Sequence, residues 1–207
     1  MTRAPRGRPV GASGEETRQR ISVATMRCVA TTGYARATIR EIARTANVTS
    51  ASLYNYFPNK SELMKAAVAA RTDVAVPRLR QAAARPGNAI ARLEAVLDES
   101  GRLMREYPDL AAFEWVLRAE NAIAVDFVST GGFAAFREII DGIVEDAFRE
   151  GGLAGRADRR GVAEAIYALI YGLTELAATL PPEEYHAALG SARRLIRGTL
   201  LAAGTSA

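Results

Sequence analysis

The side chains best suited to chemistry in this chain lie between residues 38 and 60, and that chemistry is hydrogen bonding to a polyanion rather than bond breaking. Over that span Arg40, Arg44, Ser50, Ala51, Tyr54, Asn55 and Tyr56 are interleaved with Ile39, Ile42, Ala43, Ala46, Val48, Leu53 and Phe57. If the apolar set forms a core, the polar set includes the outward positions. Asparagine can pair bidentately with adenine, small residues admit close approach to base edges, Ala51 can touch a thymine methyl, and tyrosine hydroxyls can reach phosphates. Catalysis has no comparable grouping: there is no nucleophile with a base and an orienting partner, no glycine-rich phosphate loop and no His/Cys cluster. The chain has one cysteine, Cys28, and one histidine, His186, which leaves no disulfide framework and no plausible zinc site. Cys28 keeps helical step with Ile21, Ala24 and Val29 and reads as a small core residue. No enzymatic activity, cofactor or metal is expected.

Those outward positions need short, well-terminated helices to carry them. Thr38-Ile39-Arg40-Glu41 spells a capping box, in which the threonine hydroxyl accepts the Glu41 N–H and the glutamate reaches back to the Thr38 N–H. Ile39, Ile42, Ala43 and Ala46 then share one face of a helix that ends near Ala46. After the break Ala46-Asn47-Val48, Thr49 is a second N-cap, and Leu53 with Phe57 gives the next helix a buried edge. Pro58 stops it, and Asn59-Lys60-Ser61-Glu62 caps a long fourth helix. Upstream, residues 15–32 carry Ile21, Ala24, Met26, Cys28 and Val29 at helical intervals, closed by Gly33. Two short helices joined by a tight turn predict a helix-turn-helix whose second helix enters the major groove.

Charge is divided in the same sense. Residues 1–71 hold 12 Lys and Arg against 4 Glu, a net +8, whereas residues 72–207 hold 15 Arg against 19 Asp and Glu, a net −4. A basic first third on a mildly acidic remainder predicts that one end meets a polyanion and the other does not. No run approaches the roughly 18 consecutive apolar residues of a membrane span, and the first residues lack the apolar stretch of a signal peptide. A cytoplasmic protein with no membrane partner is expected.

Beyond Arg71, the prolines and glycines at Pro77, Pro86-Gly87, Pro108, Gly131-Gly132, Gly151-Gly152 with Gly155, and Pro181-Pro182 separate helical segments near 88–106, 109–128, 133–150, 158–180 and 183–203. No useful β-type alternation and no internal repeat is present, so the fold class is all-α. The expected organisation is a flexible basic arm over 1–14, a helix-turn-helix domain over 15–65 and a helical domain over 66–207.

The run Gly33-Tyr34, Thr38-Ile39-Arg40-Glu41-Ile42-Ala43, Val48-Thr49 and Leu53-Tyr54-Asn55-Tyr56-Phe57-Pro58-Asn59-Lys60-Ser61-Glu62-Leu63 closely resembles the N-terminal domain of the tetracycline-repressor (TetR) family. That resemblance covers residues 15–65. It implies a homodimer in which each helix-turn-helix reads half of a palindromic operator on double-stranded DNA, with a helical C-terminal domain for dimerisation and for a small-molecule inducer. Matching positions imply phosphate contacts from Thr38, Tyr56 and Lys60, and base proximity for Thr49, Ser50, Ala51, Tyr54 and Asn55. Arg40 completes the expected DNA-binding set. Tyr54 and Tyr34 are either packed or DNA-facing, and Thr38 and Thr49 are caps that can also meet phosphate, because helix N-termini attract anions. Arg3, Arg6 and Arg8 are either a minor-groove hook or a solvated tail.

In the C-terminal part, an inducer pocket for an apolar or amphipathic molecule is expected among Met104, Phe113, Glu114, Trp115, Leu117, Arg118, Asn121, Phe127 and Tyr167, with ordinary core packing as the alternative. The apolar stripes Ile166, Ile170 and Leu173, and Leu189, Ile196 and Leu200, are expected either in a dimer interface or in the intrachain core. Arg193, Arg194 and Arg197 are expected to point outward. The leading function is a ligand-released repressor. The rival is a non-inducible, architectural DNA-binding protein whose C-terminal domain serves only for assembly.

Overall fold

A computed structural model describes residues 12–107, 132–151 and 158–198, together with 109, 112, 113, 115, 116 and 200. Arg3, Arg6 and Arg8, and Glu114, Leu117, Arg118, Asn121 and Phe127, lie outside the described residues. All regular structure among the described residues is helical: α1 (Ala12–Thr32), α2 (Ile39–Thr45), α3 (Ser50–Tyr54), α4 (Lys60–Ala83), α5 (Ala89–Glu106), α6 (Gly132–Arg149), α7 (Arg159–Thr179) and α8 (Pro182–Ile196).

Local chemistry explains where these helices start and stop. Thr38 has extended backbone, its hydroxyl accepts the Glu41 N–H at 3.2 Å, and the Glu41 carboxylate accepts the Thr38 N–H at 3.2 Å. Thr49 accepts the Ser52 N–H at 3.0 Å, Asn59 the Glu62 N–H at 2.9 Å, Asn88 the Ala91 N–H at 3.0 Å and Asp158 the Gly161 N–H at 2.9 Å. Each satisfies one of the donors that a helix start leaves unpaired. At the other end of α1, Gly33 takes φ +83° and donates to the Val29 carbonyl at 2.9 Å, a left-handed termination open to glycine.

Two apolar clusters organise the chain. The first gathers Ile21, Ala24, Cys28 and Val29 of α1, Ile42 and Ala43 of α2, Leu53 and Phe57, and Leu63, Met64 and Ala67 of α4. The second gathers Leu79, Ala82 and Ala83 of α4, Leu93, Val96, Leu97 and Leu103 of α5, Ile139, Ile140, Ile143 and Val144 of α6, Ile170 and Leu173 of α7, and Leu189 and Ala192 of α8. Helix α4 belongs to both, changing allegiance between Ala67 and Ala75.

Pro77, expected to separate two helices, instead lies inside α4. Val76 and Leu79 on either side of it are buried, whereas Pro77 itself faces solvent. Packing of those neighbours outweighs the missing hydrogen bond, and water can take the carbonyl that proline leaves unpaired. At Gly101, α8 approaches α5 so closely that a Cβ would sit 2.8 Å from Leu189 Cδ2, so any larger residue there would have to push that leucine aside.

Guanidinium–carboxylate pairs clip the second cluster from outside. Arg78 of α4 bonds Glu99 at 2.6 Å and also holds Glu106 of α5. Arg92 joins α5 to Asp146 of α6 at 2.8 Å, and Arg137 of α6 is paired with Glu164 of α7. Arg193 and Arg197, expected to point outward, are paired with Asp98 at 3.1 Å and Glu94 at 2.9 Å on α5. Helix periodicity placed them off the core face, and the acidic face of a neighbouring helix meets them there.

Candidate nucleic-acid interface

Helices α2 and α3 are joined by a turn in which Asn47 takes φ +55°, a left-handed conformation that asparagine tolerates better than most residues. The Val48 N–H returns to the Ala43 carbonyl at 2.9 Å, and this closes the turn. With Ile42, Ala43 and Leu53 buried, the opposite face is fixed. Thr38, Arg40, Arg44, Thr49, Ala51, Tyr54 and Asn55 are exposed, and Ser50, Tyr56 and Lys60 are half-buried. Tyr54 is 51% exposed, which settles its packing: it is not a core residue. Fixed core positions therefore aim a contiguous set of hydroxyls, one amide and two guanidiniums away from the body of the protein.

Two members of that set have partners that restrict what they can do. The Thr38 hydroxyl donates to Glu41 Oε2 at 3.0 Å while accepting the Glu41 N–H, so its single proton is already committed. Hydrogen bonds from the Thr38 backbone and hydroxyl hold the Glu41 carboxyl below its ordinary range. A phosphate arriving at α2 meets the free N–H groups of its first turn, or displaces the Glu41 carboxylate from the hydroxyl.

Lys60 reaches across to the α1–α2 connection, where its ammonium donates to the Tyr34 carbonyl and to the Ala35 carbonyl at 3.4 Å. It also sits 4.3 Å from the centre of the Tyr34 ring. Sequence reasoning gave Lys60 a phosphate role and missed this tie between the start of α4 and the chain entering α2. Nearby, the Arg18 guanidinium lies 4.6 Å over the Phe57 ring, so a basic residue covers the lower edge of the core.

Residues 21–67 match the family model described as bacterial regulatory proteins, tetR family. This segment is a tetR-family helix-turn-helix domain. The match spans α1 from Ile21, all of α2 and α3, and α4 as far as Ala67, so it contains every residue of the exposed polar set. Three solved structures share the fold over nearly the whole chain. The transcriptional regulator FadR from Bacillus subtilis, in complex with stearoyl-CoA, superposes with a TM-score of 0.74 at 20% identity, covering 88% of this chain and 99% of that one. A TetR transcription regulator from Haloarcula marismortui gives 0.71 at 22% identity, covering 89% and 98%. The ketosteroid transcriptional regulator KstR2 of Mycobacterium tuberculosis gives 0.68 at 17% identity, covering 88% and 92%. No curated protein matches the chain.

Downstream of the tetR-family segment, one residue of the expected pocket takes another position. Phe113, expected in a ligand pocket, has no exposed surface and packs in the N-terminal cluster beside the helix-turn-helix core. Val116 packs there as well. Met104 packs against the C-terminal cluster and Trp115 is half-buried. Tyr167 packs at a tilt against Phe136 at 6.3 Å and Tyr171 at 6.2 Å, with the Arg137 guanidinium 4.5 Å over its ring.

The expected interface stripes also turn inward. Ile170, Leu173 and Leu189 are buried in the chain's own C-terminal cluster, with Ile166 and Ile196 packed against it. Ile170, Leu173 and Leu189 are thus taken up by the intrachain core, whereas Ile166 and Ile196 are half-buried and keep part of their surface open. Leu200 is half-buried. Among the described residues, no group of three or more His, Cys, Asp or Glu is placed to hold a metal ion.

Proposed function

We propose that the protein is a homodimeric transcriptional repressor that binds a palindromic operator through residues 38–60 and is released by a small-molecule inducer. The observation that carries this reading is the exposed polar face of α2 and α3, set rigidly over a buried apolar core within the tetR-family segment. In the proposed complex α3 lies in the major groove. Thr49, Ser50, Ala51, Tyr54 and Asn55 face base edges, while Thr38, Arg40, Tyr56 and Lys60 meet the backbone. The arm carrying Arg3, Arg6 and Arg8 adds a basic extension for the adjacent minor groove. The division into an arm, a DNA-binding domain and a helical domain is retained, with the second boundary inside α4, because its apolar contacts change sides there.

A homodimer is supported by the faces of α7 and α8 that the core leaves open. Ala165 and Ala168 of α7 and Ala187 and Gly190 of α8 are exposed, Gly172 is half-buried, and a Cβ built at either glycine meets nothing within 4 Å. Glycine inside a helix costs about 1 kcal/mol relative to alanine, and nothing among the described residues requires it at these two sites. Close approach by the same helices of a second chain supplies a reason, in an isologous contact. Helix α7 is long and apolar enough to cross a bilayer by length and composition, yet only Ile170 and Leu173 of it are buried. A partner helix pair covers that surface without a membrane.

Inducer release follows from reciprocity: a ligand that prefers a dimer with wrongly spaced reading heads must lose affinity when DNA is bound. An inducer site that includes Met104 and Tyr167 is proposed; Glu114, Leu117, Arg118, Asn121 and Phe127, expected with them, lie outside the described residues. The similar fold of FadR, which holds stearoyl-CoA, favours an apolar or amphipathic inducer.

The deciding experiment is a nuclease footprint on the DNA upstream of the protein's own gene. A protected palindrome is expected, and protection without any two-fold symmetry overturns the reading. Sedimentation of Gly172→Leu and Gly190→Leu is expected to give monomers. Unchanged dimers would remove the α7–α8 face from the interface.

A further inference from the structure

The two apolar clusters do not close over one another completely, and the gap between them has the build of a second small-molecule site. A cleft of about 260 Å³ opens where α1, α4 and the C-terminal end of α5 meet. Its apolar lining includes Val23 and Met26 from α1, Ala70 and Val74 from α4, and Leu103 and Tyr107. Val23, Val74 and Tyr107 are respectively 44%, 38% and 44% exposed, unusually open for side chains that converge on one concavity.

The charges around it are already engaged within the protein. Arg27 Nε donates to Asp109 Oδ2 at 2.9 Å, and the Glu106 carboxylate is held by Arg78. Arg71, buried in the wall, is also partnered within the protein. An ionic occupant would give up its hydration without meeting an uncommitted counter-charge. A neutral apolar one gains the surface that Val23, Val74 and Tyr107 now leave in water. The Met26 thioether and the Tyr107 ring favour an aromatic occupant, because sulfur and ring edges both pack well against a π-system. The Gln19 side chain at the rim can serve one polar atom of such a molecule. Size sets the scale: an apolar cavity of about 150 Å³ accepts benzene, so this larger cleft suits a fused bicyclic ring.

We propose that this junction cleft binds a small neutral bicyclic aromatic compound of the size of indole. The site is separate from the inducer pocket proposed above and does not depend on it, since its lining comes from α1, α4 and the end of α5 and includes neither Met104 nor Tyr167. An occupant touches α1 from the N-terminal cluster and α5 from the C-terminal cluster at once, and so bears on how the two are set relative to each other.

The test uses the full chain with its methionine methyl groups labelled for NMR and indole as the probe. The chain has four methionines, of which Met26 lines the cleft and Met64 is buried in the N-terminal cluster. Titration is expected to shift the Met26 methyl by ring current in a saturable way while Met64 stays in place. Ala70→Phe fills the cleft and is expected to weaken indole at least about tenfold, with Met64 reporting that the cluster still folds. Val74→Trp, at a more exposed position, does the same if Ala70→Phe is poorly folded. Indole-3-carboxylate is expected to bind at least about tenfold more weakly than indole, and equal binding would overturn the claim of neutrality. A static Met26 up to the solubility of indole overturns the site itself, as does a shift that both cleft-filling variants leave intact. None of these readouts involves DNA, so they stand or fall apart from the repressor reading.

Discussion

The N-terminal and C-terminal clusters are both helical, but they treat charge in opposite ways. In the first, Ile21, Ile42, Leu53, Phe57 and Leu63 pack inside, and hydrogen bonds from caps three residues apart set the helix starts. Arg40 and Arg44 stay exposed, and among the described residues neither enters an ion pair. In the second, arginines on α4, α5, α6 and α8 bond carboxylates on neighbouring helices. The face of α2 thus leaves Arg40 and Arg44 available to an external polyanion, although Arg27 and Lys65 elsewhere in that region are paired with Asp109 and Glu62, and the other region uses its arginines to tie helices together. The imbalance between the +8 and −4 parts of the chain is therefore also a difference in how that charge is engaged.

The sharpest way to break this comparison is at Phe113, which lies in the later part of the sequence but in the earlier cluster. Phe113→Ala is expected to destabilise the protein by about 3–5 kcal/mol, as removal of a fully buried phenylalanine does. Hydrogen exchange should report the loss at amides of α1 and α4 first. If those amides keep their protection, Phe113 is not a member of that cluster.

Next in size, Asn55→Ala is expected to cost about 1–3 kcal/mol at one operator position while leaving thermal stability unchanged. Lys60→Ala differs in kind. It should weaken binding to all DNA sequences alike and also lower the melting temperature, because the tie to the Tyr34 and Ala35 carbonyls is lost. Binding curves on matched and mismatched duplexes, set beside thermal melts, separate the two. An unchanged melt for Lys60→Ala would reduce the tie to a surface contact.

Loss of a cap ranks third: Thr49→Ala removes the acceptor for the Ser52 N–H and is expected to cost about 1 kcal/mol in a denaturant titration. Smallest is the response to acid, and it belongs to the C-terminal cluster. Hydrogen bonds from Arg78, Arg92 and Arg137 hold Glu106, Asp146 and Glu164 below the ordinary carboxylate range. Because these groups ionise more readily in the folded state, their stabilisation is complete above a pH of about 4.5 and is lost as pH falls through their lower folded values. The effect of each pair is small, since Glu106 and Glu164 are exposed and Asp146 is only half-buried, so that water and salt reach all three. Near-ultraviolet circular dichroism between pH 5 and 3 should show this loss. An equal loss in Asp146→Asn, which has already given up one pair, would count against the pairs as its cause.

How much of this was legible in the sequence follows from the range of the interactions. The cap residues Thr38, Thr49 and Asn59 were readable because donor and acceptor lie within one helical turn, and Leu53 and Phe57 because one helix face repeats. The tie made by Lys60 was not legible because its carbonyl partner stands 26 residues upstream, where no periodicity connects them. Phe113 was misplaced for a similar reason: an aromatic at helical spacing announces burial but not which of two cores receives it. Pro77 was read from its own chemistry, whereas the packing of Val76 and Leu79 governs the helix. On α7 and α8 the large apolar residues attracted attention, although they face inward and the small ones are exposed.

The position of Phe113 bears on transplantation. A reading head excised at residue 67 and grafted onto the body of a relative would arrive with an empty socket where this ring belongs. A chimera designed on the family boundary alone should therefore melt early. One that carries the host's equivalent aromatic in register, or brings Phe113 along with α5, should recover.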